Sequence, residues 1–193
     1  VAQAASMLGL ADKPPAPKIW LREAHRSAAA SLIQRGLPVL AIGPTANWGG
    51  KMWPGERFAE LALRLTAENG PLPQARIAVF GGPDERLQAN PVLAALPRDR
   101  RIDLVGKVDI LTAAACLQRC ALYVGNDSGL MHLAAAVGLP TLGLFGPSDE
   151  RSYGPWGNKA AFLRTPESLD EIVSKPGYDH RSHDTHMGSL GVD

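Results

Sequence analysis

The sequence predicts an α/β fold, an open parallel β-sheet with helices on both faces, and three observations carry that prediction. Short apolar runs alternate with helical patterns between residues 39 and 146; the runs are apolar at nearly every position; and each of them ends in glycine. Strands separated by helices join through right-handed crossovers, which brings helices onto both faces of one sheet. A strand covered on both faces has no solvent side, so the usual apolar-polar alternation is lost.

Taken in order, residues 1–18 close on the Pro-rich ADKPPAPK, which reads as an extended linker from an upstream N-terminal domain. From Glu23 to Arg35 an Ala-rich pattern predicts a helix, stopped by Gly36 and Pro38. Strands are predicted at Val39–Gly43, Ile77–Gly81, Ile102–Gly106, Leu122–Gly125 and Thr141–Gly146, with helices near 56–68, 84–96, 110–120 and 128–137. Arg98 to Arg101 reads as a solvated basic loop. The domain is expected over 19–175. From Pro176 a polar stretch reads as a mobile tail that ends before a closing helix; the spacing of His180, His183 and His186 suggests a metal site only weakly, because no fixed scaffold joins them.

Bulk properties narrow the function classes. The 193 residues carry a formal net charge of +1, so no field of one sign recommends nucleic acid as a partner. Leu133 to Phe145, the longest apolar stretch, is broken by Gly138 and Pro140 and makes no transmembrane segment. Cys116 and Cys120 lie four apart on one predicted helix, a poor fit to disulfide geometry. Buried thiols suit a reducing cytoplasm. Val1 is not an initiator methionine and no secretory h-region opens the chain, which reads as a fragment of something longer.

In an open parallel sheet the carboxyl ends of the strands form the ligand crevice, so the loops after the five glycines are where chemistry is expected. Gly125-Asn126-Asp127-Ser128-Gly129 offers three residues that can cap the next helix, although one cap suffices. The same helix start leaves N–H groups open to a phosphate. Asp127, as an exposed acid, is better suited to sugar hydroxyls. His132, taken alone, belongs to the core. The loop from Gly43 holds Thr45, Asn47, two glycines and Lys51, but is no P-loop because Met52 follows the lysine. Lys51 is either a solvated loop lysine or a phosphate contact. Glu85 is either one of the acids at a helix start or a partner for ribose hydroxyls. Asp109 is a cap for the helix that follows it. No Asp-x-Asp pair is present to hold a divalent ion on a diphosphate, so neither a metal nor another cofactor is expected.

The loops GPTANWGGKMWPGERFAELALRL, VFGGPDE, DLVGKVDI, VGNDSGLMHLAAAVGLPTLGLFGPSD and YGPWG, in this order over residues 19–165, resemble the C-terminal half of glycosyltransferase family 9, the ADP-heptose:lipopolysaccharide heptosyltransferases. The resemblance implies a GT-B enzyme of two Rossmann-like domains, of which this chain is the donor-binding one. It implies that Thr45, Ala46, Asn47 and Lys51 hold the diphosphate, with Lys51 stabilising the leaving group. Glu85 would then hold the ribose, Val108 the adenine through its backbone, and Asp127 the heptose, with Ser128, Gly129 and His132 beside the phosphates. Asn47, Met52 and the Val108-Asp109 pair depart from the residues usual in the family. The implied partners are ADP-heptose and, through the N-terminal half that carries the general base, a lipopolysaccharide core acceptor. A half on its own is expected not to turn over. Such an acceptor adds peripheral association with the inner face of the inner membrane to the expectation of a cytoplasmic protein. Two alternatives stay open: a GT-B domain using another nucleotide sugar, and a noncatalytic nucleotide-binding module. On the main reading, replacing Asp127 by Asn weakens sugar discrimination and leaves ADP affinity nearly unchanged.

Overall fold

The computed structural model describes residues 17–180 and 183–193, together with Met7 and Gly9. Most of the expected linker lies outside the described residues. Six parallel strands form one sheet: β1 (Val39–Gly43), β2 (Arg76–Val79), β3 (Arg101–Asp103), β4 (Leu122–Asn126), β5 (Thr141–Phe145) and β6 (Ala160–Arg164). Their spatial order is β3-β2-β1-β4-β5-β6, so the winding direction reverses between β1 and β4. Gly43 pairs with Gly125 across that reversal.

Each strand sends alternate residues to opposite faces, and both faces are packed. Val39 and Ala41 join one buried cluster with Ala29, Cys116, Tyr123 and Met131, while Leu40 and Ile42 join a second with Phe58, Ala62, Val92 and Val124. Helices α1 (Glu23–Leu32), α4 (Ile110–Leu117) and α5 (Gly129–Ala136) supply the first cluster, and α2 (Gly55–Leu65) and α3 (Arg86–Ala95) the second. In α2 the buried Phe58, Ala59 and Ala62 form one stripe at helical spacing, the pattern that packs a helix on a sheet. Two short helices, α6 (Glu150–Tyr153) and α7 (Leu169–Val173), lie to either side of β6 in the chain. Among the described residues no helix is long and apolar enough to cross a membrane.

Several expectations are corrected. Helix α1 stops at Leu32 rather than Arg35, and strands β2 and β3 end at Val79 and Asp103, short of their glycines. Arg101 belongs to β3 and its guanidinium donates to the Leu93 carbonyl, so the basic loop is partly structural. The exposed edge strand β6 is a further element. The largest correction concerns the end of the chain, where residues 183–193 lie against α2 and the loop before it. Trp53 Nε1 donates to the Leu190 carbonyl at 3.0 Å, and Arg57 donates to the carbonyls of Gly188 and Leu190. Met187 is fully buried in the second cluster, with Leu190 and Val192 packed beside it. The Ser189 hydroxyl donates to Glu167, helping to hold that carboxyl down at about 2. Three apolar residues among polar neighbours are enough to anchor a segment whose average composition looks like a tail.

Candidate functional site

A cavity of about 690 Å³ lies at the carboxyl ends of β1, β2 and β4, over the point where the winding reverses, the place where open α/β sheets take their ligands. Its walls include Thr45, Asn47, Lys51, Glu85, Val108, Asp127, Ser128, Gly129 and His132, nine of the ten residues singled out from sequence. The tenth, Ala46, is buried and stands outside that lining, and its N–H donates to Gln88 Oε1 at 3.3 Å. His132 is exposed on the cavity wall rather than packed in the core.

The polar turn after β4 gives each of its three residues a separate partner. Asn126 is fully buried; its Oδ1 accepts from Trp53 N at 3.0 Å and its Nδ2 donates to the Pro44 carbonyl at 2.8 Å. That amide therefore clamps both ends of the loop carrying Lys51, a positioning role the sequence signalled only as a candidate helix cap. Asp127 is buried, not exposed, and its Oδ2 lies 2.7 Å from Lys51 Nζ. Ser128 is the N-cap residue of α5 but makes no side-chain capping bond. Simple capping thus explains none of the three side chains.

Lys51 ends a short turn, Gly49–Lys51, braced from the far side by the chain terminus. His186 N donates to the Gly50 carbonyl at 3.0 Å, and the Thr185 hydroxyl to the Met52 carbonyl. The rings of Trp48, Tyr178 and His186 pack together, with centroids 5.1 to 6.5 Å apart. His186 is therefore part of a strap over this loop, and among the described residues no group of three or more His, Cys, Asp or Glu is placed to hold a metal ion. Tyr153, from the sequence YGPWG, was also missed as a site residue; Lys51 Nζ stands 5.8 Å from the centre of its ring.

At the opposite end of the cavity Glu85 Oε2 accepts from the Thr45 hydroxyl at 2.7 Å and from Gly82 N at 2.6 Å. The carboxylate is aimed by two neutral donors, and its Oε1 takes no further hydrogen bond among the described residues. Val108, Ile110, Ala113 and Leu130 give the lining of the same cavity its apolar slot. Asp109 caps α4 through Leu111 N and Thr112 N, both at 2.9 Å. Thr112, through its N–H and then its hydroxyl, holds the Asp109 carboxyl below the ordinary range.

The glycines at the strand ends do different jobs. A Cβ on Gly43 or Gly125 would collide with the Tyr123 hydroxyl, so these two make a notch for a buried ring rather than for a ligand. Gly106, with φ +67°, occupies the left-handed region that side chains avoid. Beneath the site the Tyr123 and Ser128 hydroxyls are buried near each other, with no hydrogen bond of good geometry to either. Burial pushes the Tyr123 phenol far above its ordinary value, with Ser128 opposing the shift.

A parallel sheet in this order, with one cavity at the winding reversal lined by an apolar slot, an aimed carboxylate and an ammonium, defines a Rossmann-like domain. The family model described as glycosyltransferase family 9 (heptosyltransferase) matches residues 1–176, and the chain belongs to that family. It is 33% identical over 131 residues to lipooligosaccharide heptosyltransferase 2 of Haemophilus influenzae, covering 66% of this chain and 36% of that protein. Among solved structures it resembles the family 9 glycosyl transferase of Veillonella parvula, with a TM-score of 0.74 and 28% identity over 84% of this chain and 47% of that one. The E. coli ADP-heptose LPS heptosyltransferase II gives a TM-score of 0.71 and 26% identity over 93% of this chain and 51% of that one. The GT-B expectation for the fold is met in these neighbours, and the chain spans about half or less of the length of each of the three.

Proposed function

We propose that this chain is the C-terminal, donor-binding half of a metal-independent glycosyltransferase that moves heptose from ADP-heptose to a lipopolysaccharide core acceptor in the cytoplasm, at the inner face of the inner membrane. The observation that carries the reading is the contact of Lys51 with Asp127 in the same cavity as Glu85 and the Val108 slot. An adenine fits the slot, ribose hydroxyls meet Glu85 Oε1, the diphosphate meets Lys51 and the sugar meets Asp127. The E. coli neighbour named for ADP-heptose supports that choice of donor.

In the transfer the acceptor oxygen bonds to the anomeric carbon as the bond from that carbon to the diphosphate oxygen breaks, and ADP leaves with the electron pair. Negative charge therefore grows where Lys51 reaches. An ammonium about 4 Å away at an effective dielectric near 20 contributes about 4 kcal/mol before desolvation is subtracted. A helix terminus adds about 0.3–1 kcal/mol, so Lys51 dominates over α5. The acceptor and its general base belong to the other half.

Calorimetry of the chain with ADP, UDP and NAD tests the reading. ADP should bind at least about tenfold more tightly than UDP or NAD, a gap of about 1.4 kcal/mol. Preference for UDP would favour another nucleotide-sugar donor, and no binding of ADP would overturn the assignment. ADP binding with no gain for ADP-heptose would favour a noncatalytic nucleotide-binding module.

A further inference from the structure

We propose that Asp127 makes this site discriminate donor from spent nucleotide, by competing with the diphosphate for Lys51 unless sugar hydroxyls occupy its carboxylate. The inference rests on the reading of the cavity as a nucleotide-sugar site.

Lys51 already has a partner within the chain. Its Nζ lies 2.7 Å from Asp127 Oδ2, with the lysine side chain 22% exposed and the aspartate 6%. The Tyr153 ring covers it at 5.8 Å. A diphosphate arriving alone must either draw the ammonium away, leaving a buried carboxylate without its donor, or bring its own charge beside that carboxylate. Both cost free energy, because an unpaired buried charge is strongly disfavoured and like charges at such range repel.

A sugar on the diphosphate changes the balance. Its hydroxyls donate hydrogen bonds to Asp127, so the carboxylate stays satisfied while Lys51 turns to the phosphates. When the sugar passes to the acceptor those donors leave with it. Asp127 then reclaims Lys51, which weakens the hold on ADP and favours release of the product.

The opposite end of the cavity shows no such rivalry. Glu85 is held by the Thr45 hydroxyl and Gly82 N, both neutral donors, so no ion pair has to be broken there. The competition is confined to one ion pair, and it reverses the expectation from sequence that ADP affinity is indifferent to residue 127.

Titration of the chain and of Asp127→Asn with ADP, ADP-heptose and adenosine tests this. Asp127→Asn should bind ADP about tenfold more tightly, as expected when a close charge pair ceases to compete. Adenosine affinity should not change, and the preference for ADP-heptose over ADP should fall by more than the same factor. In a Lys51→Met background the gain for ADP should shrink to about twofold or less, since no ammonium is left to compete for. Unchanged or weaker ADP binding by Asp127→Asn overturns the proposal, as does an equal gain in the Lys51→Met background, which would indicate plain repulsion. Thermal melts and adenosine affinity report whether each variant is folded, and Asp127→Ser replaces the asparagine variant if that one is not. If the unaltered chain binds neither adenosine nor ADP, the nucleotide-sugar reading falls and this proposal with it; normal ADP binding without the gain sinks this proposal alone.

Discussion

The two ends of the cavity are built on opposite principles. At the Glu85 end an acid is aimed by neutral donors, the Thr45 hydroxyl and Gly82 N, in a cavity whose apolar slot exists before any ligand arrives. At the Lys51 end two full charges are turned on each other at 2.7 Å. The first end is preorganised, so on the proposed reading a nucleoside would find its contacts ready and binding would need little ordering. On the same reading the second would have to exchange partners, which costs affinity but would let the loss of the sugar alter how tightly the remainder is held. A transferase needs both, a firm hold on the handle of its donor and a weak one on the product.

The sharpest way to break the comparison is to remove the charge that only the second end supplies. In the full-length enzyme Lys51→Ala should lower turnover by about 10²–10³, the scale seen when one preorganised charge-stabilising donor is lost. Steady-state kinetics with ADP-heptose checks this, and a loss under about fivefold would remove Lys51 from the leaving-group role.

That end was legible as a set of residues and illegible as an arrangement. Glycine-terminated strands and the loops after them placed Lys51, Glu85 and Asp127 on one sheet edge, because strand period and loop position follow from local pattern. What local pattern does not carry is which side chain meets which. Asn126 looked like a cap and is a clamp across 82 residues of chain to Pro44. Gly43 and Gly125 read as strand ends at the crevice and are room for Tyr123. The stretch after Pro176 looked mobile because its apolar residues are sparse, yet Met187 is buried in the second cluster and packs against Gly146. Apart from Gly125 and Tyr123, which share strand β4, these contacts join distant parts of the chain, and no short window of sequence contains both partners.

A smaller effect tests the preorganised end. Thr45→Val keeps the shape of the side chain and removes the hydroxyl that donates to Glu85 Oε2 at 2.7 Å. A hydrogen bond to a charged group contributes about 1.5–3 kcal/mol, part of which Gly82 N retains by holding the same oxygen. Adenosine and ADP should both bind about fivefold more weakly, and by the same factor, because the change is confined to the nucleoside end. A loss for ADP with none for adenosine would show that Thr45 acts on the phosphates instead, and the division of the cavity would have to be redrawn.

The smallest effect is expected under the floor that both ends share. Tyr123 is fully buried, its ring reaches along β4 into the notch between Gly43 and Gly125, and its hydroxyl makes no hydrogen bond of good geometry. An unsatisfied buried hydroxyl costs about 1–3 kcal/mol, whereas the notch it fills would lose part of its packing without it. Tyr123→Phe should therefore raise stability by about 1 kcal/mol, which is about 2–4 °C in Tm for a chain of this size. ADP and adenosine affinities should stay within about twofold of the unaltered chain, since the ring keeps its place under β1 and β4. If instead Tm falls and ADP alone binds more weakly, the hydroxyl is engaged with Ser128 and supports the phosphate end from below. The exchanging end would then extend one layer into the core, and the preorganised end would be the smaller of the two.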